Sequence, residues 1–158
     1  MHRKGVAALI INESNQFLLV NLSTFEEFYY AVPGGGIELG EGLEDAVMRE
    51  INEELGISID KLEIIGKARN PIKFEFKSGP LVREGVAYTG QEKHYFLVRF
   101  TGKDKDIKIN EEEVRKYVWA DYDDLHKYLL FEGQLADTRK LIEELSPQLA
   151  TKAPQPAQ

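Results

Sequence analysis

The chain has 158 residues and a formal net charge of −7, with 42% hydrophobic and 30% charged residues. This composition is typical of a soluble domain with a core and argues against disorder. The negative charge argues against general DNA binding, because binding to the phosphate backbone depends on clustered lysine and arginine. The absence of cysteine excludes disulfides, thiolate metal sites and a cysteine nucleophile, and it fits a reducing, cytoplasmic environment.

Two short apolar runs near the start of the chain predict a β-hairpin. Val6 to Ile11 and Phe17 to Leu22 are largely apolar, and the polar residues between them carry turn chemistry. The first run follows basic residues, as in a signal peptide, but it is too short for one and lacks a small-residue cleavage site. No stretch approaches the roughly 18 apolar residues of a membrane span, so we expect no membrane association.

A third strand and an amphipathic helix are predicted next. Phe28 to Val32 has strand composition and is followed by Pro33 and three glycines, which end the strand. Every fourth residue from Leu43 to Leu55 is apolar, which predicts a helix whose apolar stripe packs on a sheet. Gly56 is then in place to end that helix.

The second half of the chain predicts three further strands and two further helices. The strands are Leu62–Ala68, His94–Phe100 and Lys116–Ala120, and the helices are Asp121–Phe131, with Asp121 as N-cap, and Leu135–Leu145. Between the first two of these strands, residues 71–93 predict a long loop or an irregular hairpin. We therefore expect a single α/β domain over residues 1–146, with helices covering a mixed sheet, and a disordered tail over residues 147–158.

The helix that begins at Leu43 carries several carboxylates on one face. Glu50 and Glu54 are four residues apart, and Glu53 lies three residues after Glu50. Like charges so placed repel each other, so helix stability alone does not explain them. Mg²⁺ prefers oxygen ligands and resolves the repulsion, whereas the alternative is a solvated acidic face without a metal.

The residues around this cluster resemble the Nudix hydrolase signature at all nine of its fixed positions. In order along the chain, these positions are Gly35, Glu41, Arg49, Glu50, Ile51, Glu53, Glu54, Gly56 and Ile57. At average amino-acid frequencies, a chance match at one starting point is on the order of 10⁻⁹. The order of predicted elements also resembles this family over roughly residues 3 to 146.

The resemblance implies a Nudix-type α/β/α sandwich with a mixed β-sheet, and hydrolysis of a nucleoside diphosphate linked to another group. It implies that Mg²⁺ or Mn²⁺ is bound by Glu50, Glu53, Glu54 and, in later sequence, Glu113, with the backbone of Gly35 close by. Supporting roles in the motif fall to Gly36, Glu41 and Gly56, while Arg49 pairs with a carboxylate and holds the loop against the helix.

The glutamate that removes a proton from the attacking water varies within this family, so two candidates stay open. One is Glu50, and the other lies in the acidic segment before the last predicted strand. There, the spacing to Trp119 favours Glu113, with Glu112 second. The alternative for each glutamate of that segment is simple solvent exposure. Arg49, Glu50 and Glu113 are the predicted catalytic residues.

Residues outside the signature indicate the substrate less specifically. The segment from Thr89 to Phe100 and the later Glu, Trp and Phe residues resemble RNA pyrophosphohydrolases and dinucleoside polyphosphate hydrolases, which predicts an RNA 5′-triphosphate end or a dinucleoside polyphosphate as substrate. Pro33 followed by three glycines is more typical of nucleoside triphosphate pyrophosphatases and nucleotide-sugar hydrolases, the alternative. A non-catalytic nucleotide sensor is disfavoured because such modules lose the signature glutamates.

Candidate substrate-binding side chains are concentrated in residues 71–93. Cations there can hold phosphates and an aromatic ring can stack on a base, and the candidates are Lys73, Lys77, Arg83, Lys93 and Tyr88. A mixed solvated loop is the alternative. The sequence does not determine the oligomeric state, and a dimer is one of the alternatives.

Overall fold

A computed structural model describes residues 1–150 as a mixed sheet with one helix packed on each face. The strands are β1 His2–Ile11, β2 Phe17–Leu22, β3 Gly34–Gly36, β4 Leu62–Lys67, β5 Ile72–Glu75, β6 Leu81–Arg83, β7 Val86–Tyr88, β8 Gly90–Phe100 and β9 Val114–Ala120. The helices are α1 Leu43–Leu55 and α2 Gln134–Leu145.

The main sheet has seven strands, and its central path runs β4-β8-β1-β2-β9. β1 and β8 pair in parallel, from His2 opposite Gly90 to Ile11 opposite Arg99, while the other pairs are antiparallel. The first halves of the two long strands pair with β3 and β5 instead of β2 and β4. β6 and β7 form a separate hairpin. The long central strands thus support the glycine strand β3 at one end of the sheet.

Alternating residues of β1 divide the core into two layers, because successive strand residues point to opposite faces. Val6 and its alternates lie in the cluster with Ile51 and Leu55 of α1, whereas Ala7 and its alternates lie in the cluster with Ile142 of α2. These residues are at most 1% exposed, and burying a large aliphatic side chain contributes roughly 1.5–3 kcal/mol. The predicted α/β/α sandwich with a mixed sheet is confirmed.

The strand predicted at Phe28–Val32 is wrong, because the chain pairs with the sheet a few residues later. Within that segment only Ala31 forms a bridge, with Val20, and the strand β3 consists of the three glycines that were expected to end it. A Cβ on Gly34 would collide with the carbonyl of Val6 and the Cα of Ala7. Glycine is therefore required for this close approach.

Two other segments differ from their predictions or extend them. The helix expected from Asp121 is a 3-10 helix of six residues, Tyr122–Lys127, and within residues 1–150 the Asp121 side chain makes no capping hydrogen bond. The chain turns again at Gly133, where a φ of 77° precedes α2. Residues 71–93 contain β5, the β6–β7 hairpin and the start of β8, which agrees with the irregular hairpin expected there as one alternative.

Two further predictions, a disordered C-terminal tail and the absence of a membrane span, can be compared with the structure for residues 1–150. Pro147–Ala150 form one 3-10 turn, and the rest of the predicted disordered tail, residues 151–158, lies outside the described residues. Within residues 1–150, neither helix has the length and apolar character needed to cross a membrane.

Candidate active site

Arg49 joins helix α1 to the loop that precedes it. Its guanidinium donates two hydrogen bonds to Glu41, with Nε 2.8 Å from Oε2 and Nη2 2.9 Å from Oε1. Nη2 also donates to the carbonyl of Gly36, at 2.8 Å. This paired geometry is the strongest that arginine makes with a carboxylate. The Arg49 bonds, together with the backbone N–H of Glu38, lower the pKa of Glu41 to about 2.

The remaining donor of Arg49 lies between two carboxylates of α1. Nη1 donates to Glu50 Oε1 at 2.9 Å and to Glu53 Oε2 at 3.1 Å. The hydrogen bonds that Arg49 donates to Glu41, Glu50 and Glu53 raise the pKa of Arg49, against the cost of its burial. One cation therefore balances several negative charges in the described structure.

Glu54 is the buried member of the carboxylate cluster. The residue is 5% exposed, and its Oε2 atom has no hydrogen-bond partner among residues 1–150. Burial, with smaller contributions from the charges of Glu50 and Glu113, raises the pKa of Glu54 to about 8. The backbone of Gly34 opposes this shift through a hydrogen bond to the Glu54 carboxyl. A buried carboxylate oxygen without a partner, such as Oε2, is costly, and a bound cation would relieve that cost.

Glycines of the signature let backbone and charged groups approach each other. The carboxylate of Glu50 lies where a Cβ on Gly35 would be, so any other residue there would displace it. Burial raises the pKa of Glu50, opposed by Arg49. Gly36 lies in the same way under the guanidinium of Arg3, and Gly56 ends α1 with a φ of 63°. The left-handed conformation at Gly56 is strained for any residue with a side chain.

Glu113 comes from a different part of the chain, and its charge acts on the same cluster. The segment before it is bound to the C-terminal end of α1, with N–H groups of Lys108 and Asn110 donating to the carbonyls of Leu55 and Glu54 at 2.7 and 2.9 Å. The charge of Glu113 contributes to the raised pKa of both Glu50 and Glu54. Glu112 is exposed, and its carbonyl accepts a hydrogen bond from Ser23.

The donor set of this cluster consists of carboxylate oxygens, which suits Mg²⁺ or Mn²⁺. Across the described residues 1–150, no three acidic, histidine or cysteine side chains already converge as a ligand set. Two of the expected ligands, Glu50 and Glu53, are instead hydrogen-bonded to Arg49. The Oε2 atom of Glu54 is a buried acceptor without a partner that a cation would satisfy, and Gly35 lets the Glu50 carboxylate lie directly against the backbone.

The structure separates the predicted substrate-binding residues into two groups. Lys93 is partly buried on β8, where burial lowers its pKa and the nearby charge of Glu54 opposes that effect. In contrast, Lys73 and Arg83 are exposed on β5 and β6, and Tyr88 on β7 is partly buried. Lys77 makes an exposed ion pair with Glu132, 3.1 Å from Nζ to Oε2. Of the five predicted substrate-binding residues, Lys93 is the one that the structure shows to be near the carboxylates of α1.

Sequence reasoning missed Arg3, the second cation at this end of the sheet. Arg3 lies over Gly36, and its charge contributes to the lowered pKa of Lys93. The two residues are near neighbours because β1 and β8 are parallel and in register at Arg3–Gln91 and Gly5–Lys93. A basic residue at the start of a strand was the only signal in the sequence, and it could not reveal that register.

Comparison with known proteins agrees with this geometry. The NUDIX domain model matches residues 1–145. An RNA pyrophosphohydrolase of Sphingopyxis alaskensis is 33% identical over 150 residues, which is 92% of this chain and 94% of that protein. An RNA pyrophosphohydrolase of Erythrobacter litoralis is 37% identical over 107 residues, which is 64% of each chain.

Solved structures show the same fold at lower sequence identity. The Escherichia coli dihydroneopterin triphosphate pyrophosphohydrolase superposes with a TM-score of 0.69 at 20% identity, covering 91% of this chain and 96% of that one. At this identity the likeness supports the fold alone. Together with the family match over residues 1–145, it agrees with the signature found at Gly35–Ile57. The chain belongs to the NUDIX domain family, and it is a Nudix pyrophosphohydrolase.

Proposed function

We propose that this enzyme hydrolyses a pyrophosphate bond at the 5′-triphosphate end of RNA, with Mg²⁺ or Mn²⁺ as cofactor. The RNA pyrophosphohydrolase from Sphingopyxis alaskensis, 33% identical over 92% of this chain, supports the substrate. The observation that carries the metal requirement is the buried Oε2 atom of Glu54, which has no partner within the part of the chain that the structure describes.

Glu50, Glu53 and Glu54 would hold the cation, with the backbone of Gly35 beside them and Glu113 as a further ligand from the later segment. A bound divalent cation neutralises phosphate oxygens and lowers the pKa of a coordinated water. Glu50 and Glu53 would exchange their bonds to Arg49 for bonds to the cation. Arg49 would keep its two bonds to Glu41 and its bond to Gly36, and so would hold the loop in place.

Glu113 is our preferred proton acceptor, with Glu50 as the alternative. Glu50 is already engaged by Arg49 and lies against Gly35, whereas Glu113 is exposed and close enough for its charge to act on Glu50 and Glu54. Water attacks one phosphorus atom, the bridging oxygen leaves with its electron pair, and Glu113 accepts the proton of the water. General base catalysis of this kind contributes about 10²–10⁴-fold to the rate.

Cations near the carboxylates support binding of a charged polyphosphate. Lys93 and Arg3 lie at the same end of the sheet as β3, where they would bind phosphate oxygens. Lys73, Lys77 and Arg83, with the ring of Tyr88, would contact more distant parts of the substrate. A dinucleoside polyphosphate offers the same phosphate chemistry and is a second candidate substrate.

Another candidate activity is hydrolysis of nucleoside triphosphates or nucleotide sugars. The observation that favours it is Pro33 followed by Gly34, Gly35 and Gly36. A non-catalytic nucleotide sensor is the least favoured reading because the signature glutamates are all present. The cytoplasmic location and the possible dimer stay predictions.

A product-resolved screen tests the proposed substrate. The enzyme is assayed with Mg²⁺ and with Mn²⁺ on triphosphorylated RNA, nucleoside triphosphates, oxidised dGTP, diadenosine tetraphosphate, ADP-ribose and GDP-mannose. We expect the highest kcat/KM on triphosphorylated RNA and no turnover with chelator. A higher kcat/KM on any of the other substrates would replace RNA as the proposed substrate, and full activity in chelator would refute the metal requirement.

A further inference from the structure

A buried asparagine holds the segment that connects β2 to β3. Asn21 is fully buried, and its side-chain amide donates to the carbonyl of Glu26 at 2.9 Å and to that of Tyr29 at 2.7 Å. Its Oδ1 atom accepts a hydrogen bond from Nη1 of Arg115 at 3.0 Å. Asn21 therefore joins the β2–β3 segment to strand β9.

Arg115 binds the same segment through its other terminal nitrogen. Nη2 donates to the carbonyls of Ser23 and Phe25 at 2.9 and 2.5 Å. With the bond to Asn21, one guanidinium binds three acceptors, one on β2 and two in the β2–β3 segment. Lysine could not reproduce this arrangement, because an ammonium group lacks the planar geometry of the guanidinium donors. Arg115 follows Glu113 by two residues, so the position of the guanidinium restrains the backbone from which Glu113 extends.

Ser23 holds that backbone from the other side. Its Oγ atom donates to the carbonyl of Glu112 at 2.8 Å, and its N–H donates to the carbonyl of Glu113 at 2.8 Å. At this point the register between β2 and β9 shifts, so that Leu22 lies opposite Val114. Irregularities of this kind re-aim side chains next to functional sites.

Glu113 is also held at its N-terminal side, by the N–H of Glu113 donating to the carbonyl of Asn110 at 3.0 Å. Asn110 is itself bound to the carbonyl of Glu54 at the end of α1, at 2.9 Å. The backbone of Glu113 is thus fixed between two anchors, one on α1 and one on the β2–β3 segment. Neither Ser23 nor Arg115 touches the carboxylate cluster through the bonds described. An effect on the reaction would therefore pass through Glu113 or through the β2–β3 segment that leads to Gly34–Gly36, and the dependence on Glu113 separates the two.

We propose that Ser23 and Arg115 are positioning residues that aim Glu113 at the reacting water. This inference rests on the proposed function, in which Glu113 accepts the proton. It explains why an exposed glutamate could serve as a base: its backbone is immobilised by hydrogen bonds on both sides, and only its side chain has to move.

A double-mutant cycle on the full chain tests the inference, because the effects of residues that act through one another are not additive. The variants are Arg115→Met, Glu113→Gln and their combination, assayed for kcat and KM on triphosphorylated RNA with Mg²⁺. We expect Arg115→Met to lower kcat by about 10-fold or more, within the 10²–10⁴-fold of the base itself, with KM changed less than about threefold. In the Glu113→Gln background, the same substitution should have less than a threefold effect.

Substitutions of Ser23 test the same role in case Arg115→Met does not fold. Ser23→Ala removes the hydroxyl donor but keeps the N–H bond to Glu113, and it should lower kcat by several-fold, while Ser23→Thr should restore it. Lys116→Met is the matched control, since Lys116 is the next, exposed residue on β9 and its loss changes the net charge equally. Its kcat should stay within twofold of the parent.

The possible failures are distinguishable. If Glu113→Gln keeps near-normal kcat, Glu113 is not the base and that part of the proposed function is wrong. If Glu113→Gln loses activity but Arg115→Met lowers kcat equally in both backgrounds, the base assignment stands and the positioning role of Arg115 is overturned. If Ser23→Ala and Ser23→Thr are equally impaired, the positioning role of the serine hydroxyl is overturned.

Discussion

The carboxylate cluster of α1 and the β5–β7 region differ in how their charges are held. In the cluster, Arg49 binds four partners within residues 36–53, and each bond is between 2.8 and 3.1 Å. In the β5–β7 region, Lys73 and Arg83 are exposed, and the ion pair of Lys77 joins side chains that are 87% and 89% exposed. Exposed pairs of that kind contribute about 0–1 kcal/mol. In the proposed function, the reaction would thus depend on a preorganised local motif, and substrate binding on exposed side chains and on residues from distant strands.

The largest expected effect is at Glu54. Glu54→Gln keeps the shape of the side chain but removes a proposed metal ligand, so kcat should fall by more than the 10–100-fold typical of residues that only support a ligand. The variant should also be at least as stable as the parent without metal, because the parent must take up a proton at Glu54 on folding near neutral pH and the glutamine does not. Turnover assays and thermal melts measure both effects, and near-normal turnover would contradict the metal assignment.

A second substitution tests whether the two parallel hydrogen bonds from Arg49 to Glu41 are needed to hold the cluster together. Arg49→Lys retains the charge but cannot bind Glu41 through two parallel hydrogen bonds. We expect kcat to fall about 10–100-fold, as for other residues that orient metal ligands. Because Mg²⁺ would bind less tightly, the Mg²⁺ concentration that gives half-maximal activity should rise. Arg69→Lys is the control, because that side chain is 84% exposed and should tolerate the change. If the two lysine variants behave alike, the charge of Arg49 matters and its geometry does not.

The difference between a local motif and contacts made by distant strands also explains which features the sequence predicts. Helix α1, its end at Gly56 and the clustering of Glu50, Glu53 and Glu54 follow from spacing within one helix, where three or four residues make one turn. The pairing of Gly34–Gly36 with β1 does not follow from the local pattern, because three glycines predict the end of a strand and their close backbone approach depends on a strand far away in sequence. Arg3 and the bonds of Arg115 to Asn21 were missed for the same reason, since both depend on strand register.

A third prediction concerns pH and metal at the buried carboxylate. Burial holds the pKa of Glu54 at about 8, against an ordinary value of 4.5. Between those two values the folded protein binds a proton more tightly than the unfolded chain does, so metal-free stability should fall as the pH rises from 4.5 to 8. The raised pKa of Glu50 acts in the same direction.

A bound cation must displace that proton, so metal binding should strengthen over the same range. We expect Mg²⁺ to raise the melting temperature more at pH 8.5 than at pH 6.5 in the parent protein. Glu54→Gln should reduce this difference, because its side chain does not titrate. Equal stabilisation by Mg²⁺ at both pH values in the parent would show that Glu54 does not take part in binding.

The smallest expected effects separate the two groups of cations. Lys93→Met removes a partly buried charge close to Glu54, and it should raise KM for triphosphorylated RNA by about 10-fold, which corresponds to about 1.4 kcal/mol. Lys73→Met removes an exposed charge on β5 and should change KM by less than about twofold, since exposed charges interact weakly through water. Steady-state kinetics at two salt concentrations measure both variants, and any effect of Lys73→Met should shrink in high salt. A larger effect at Lys73 than at Lys93 would reverse the comparison, because the β5–β7 region would then bind the phosphates and the central strands would not.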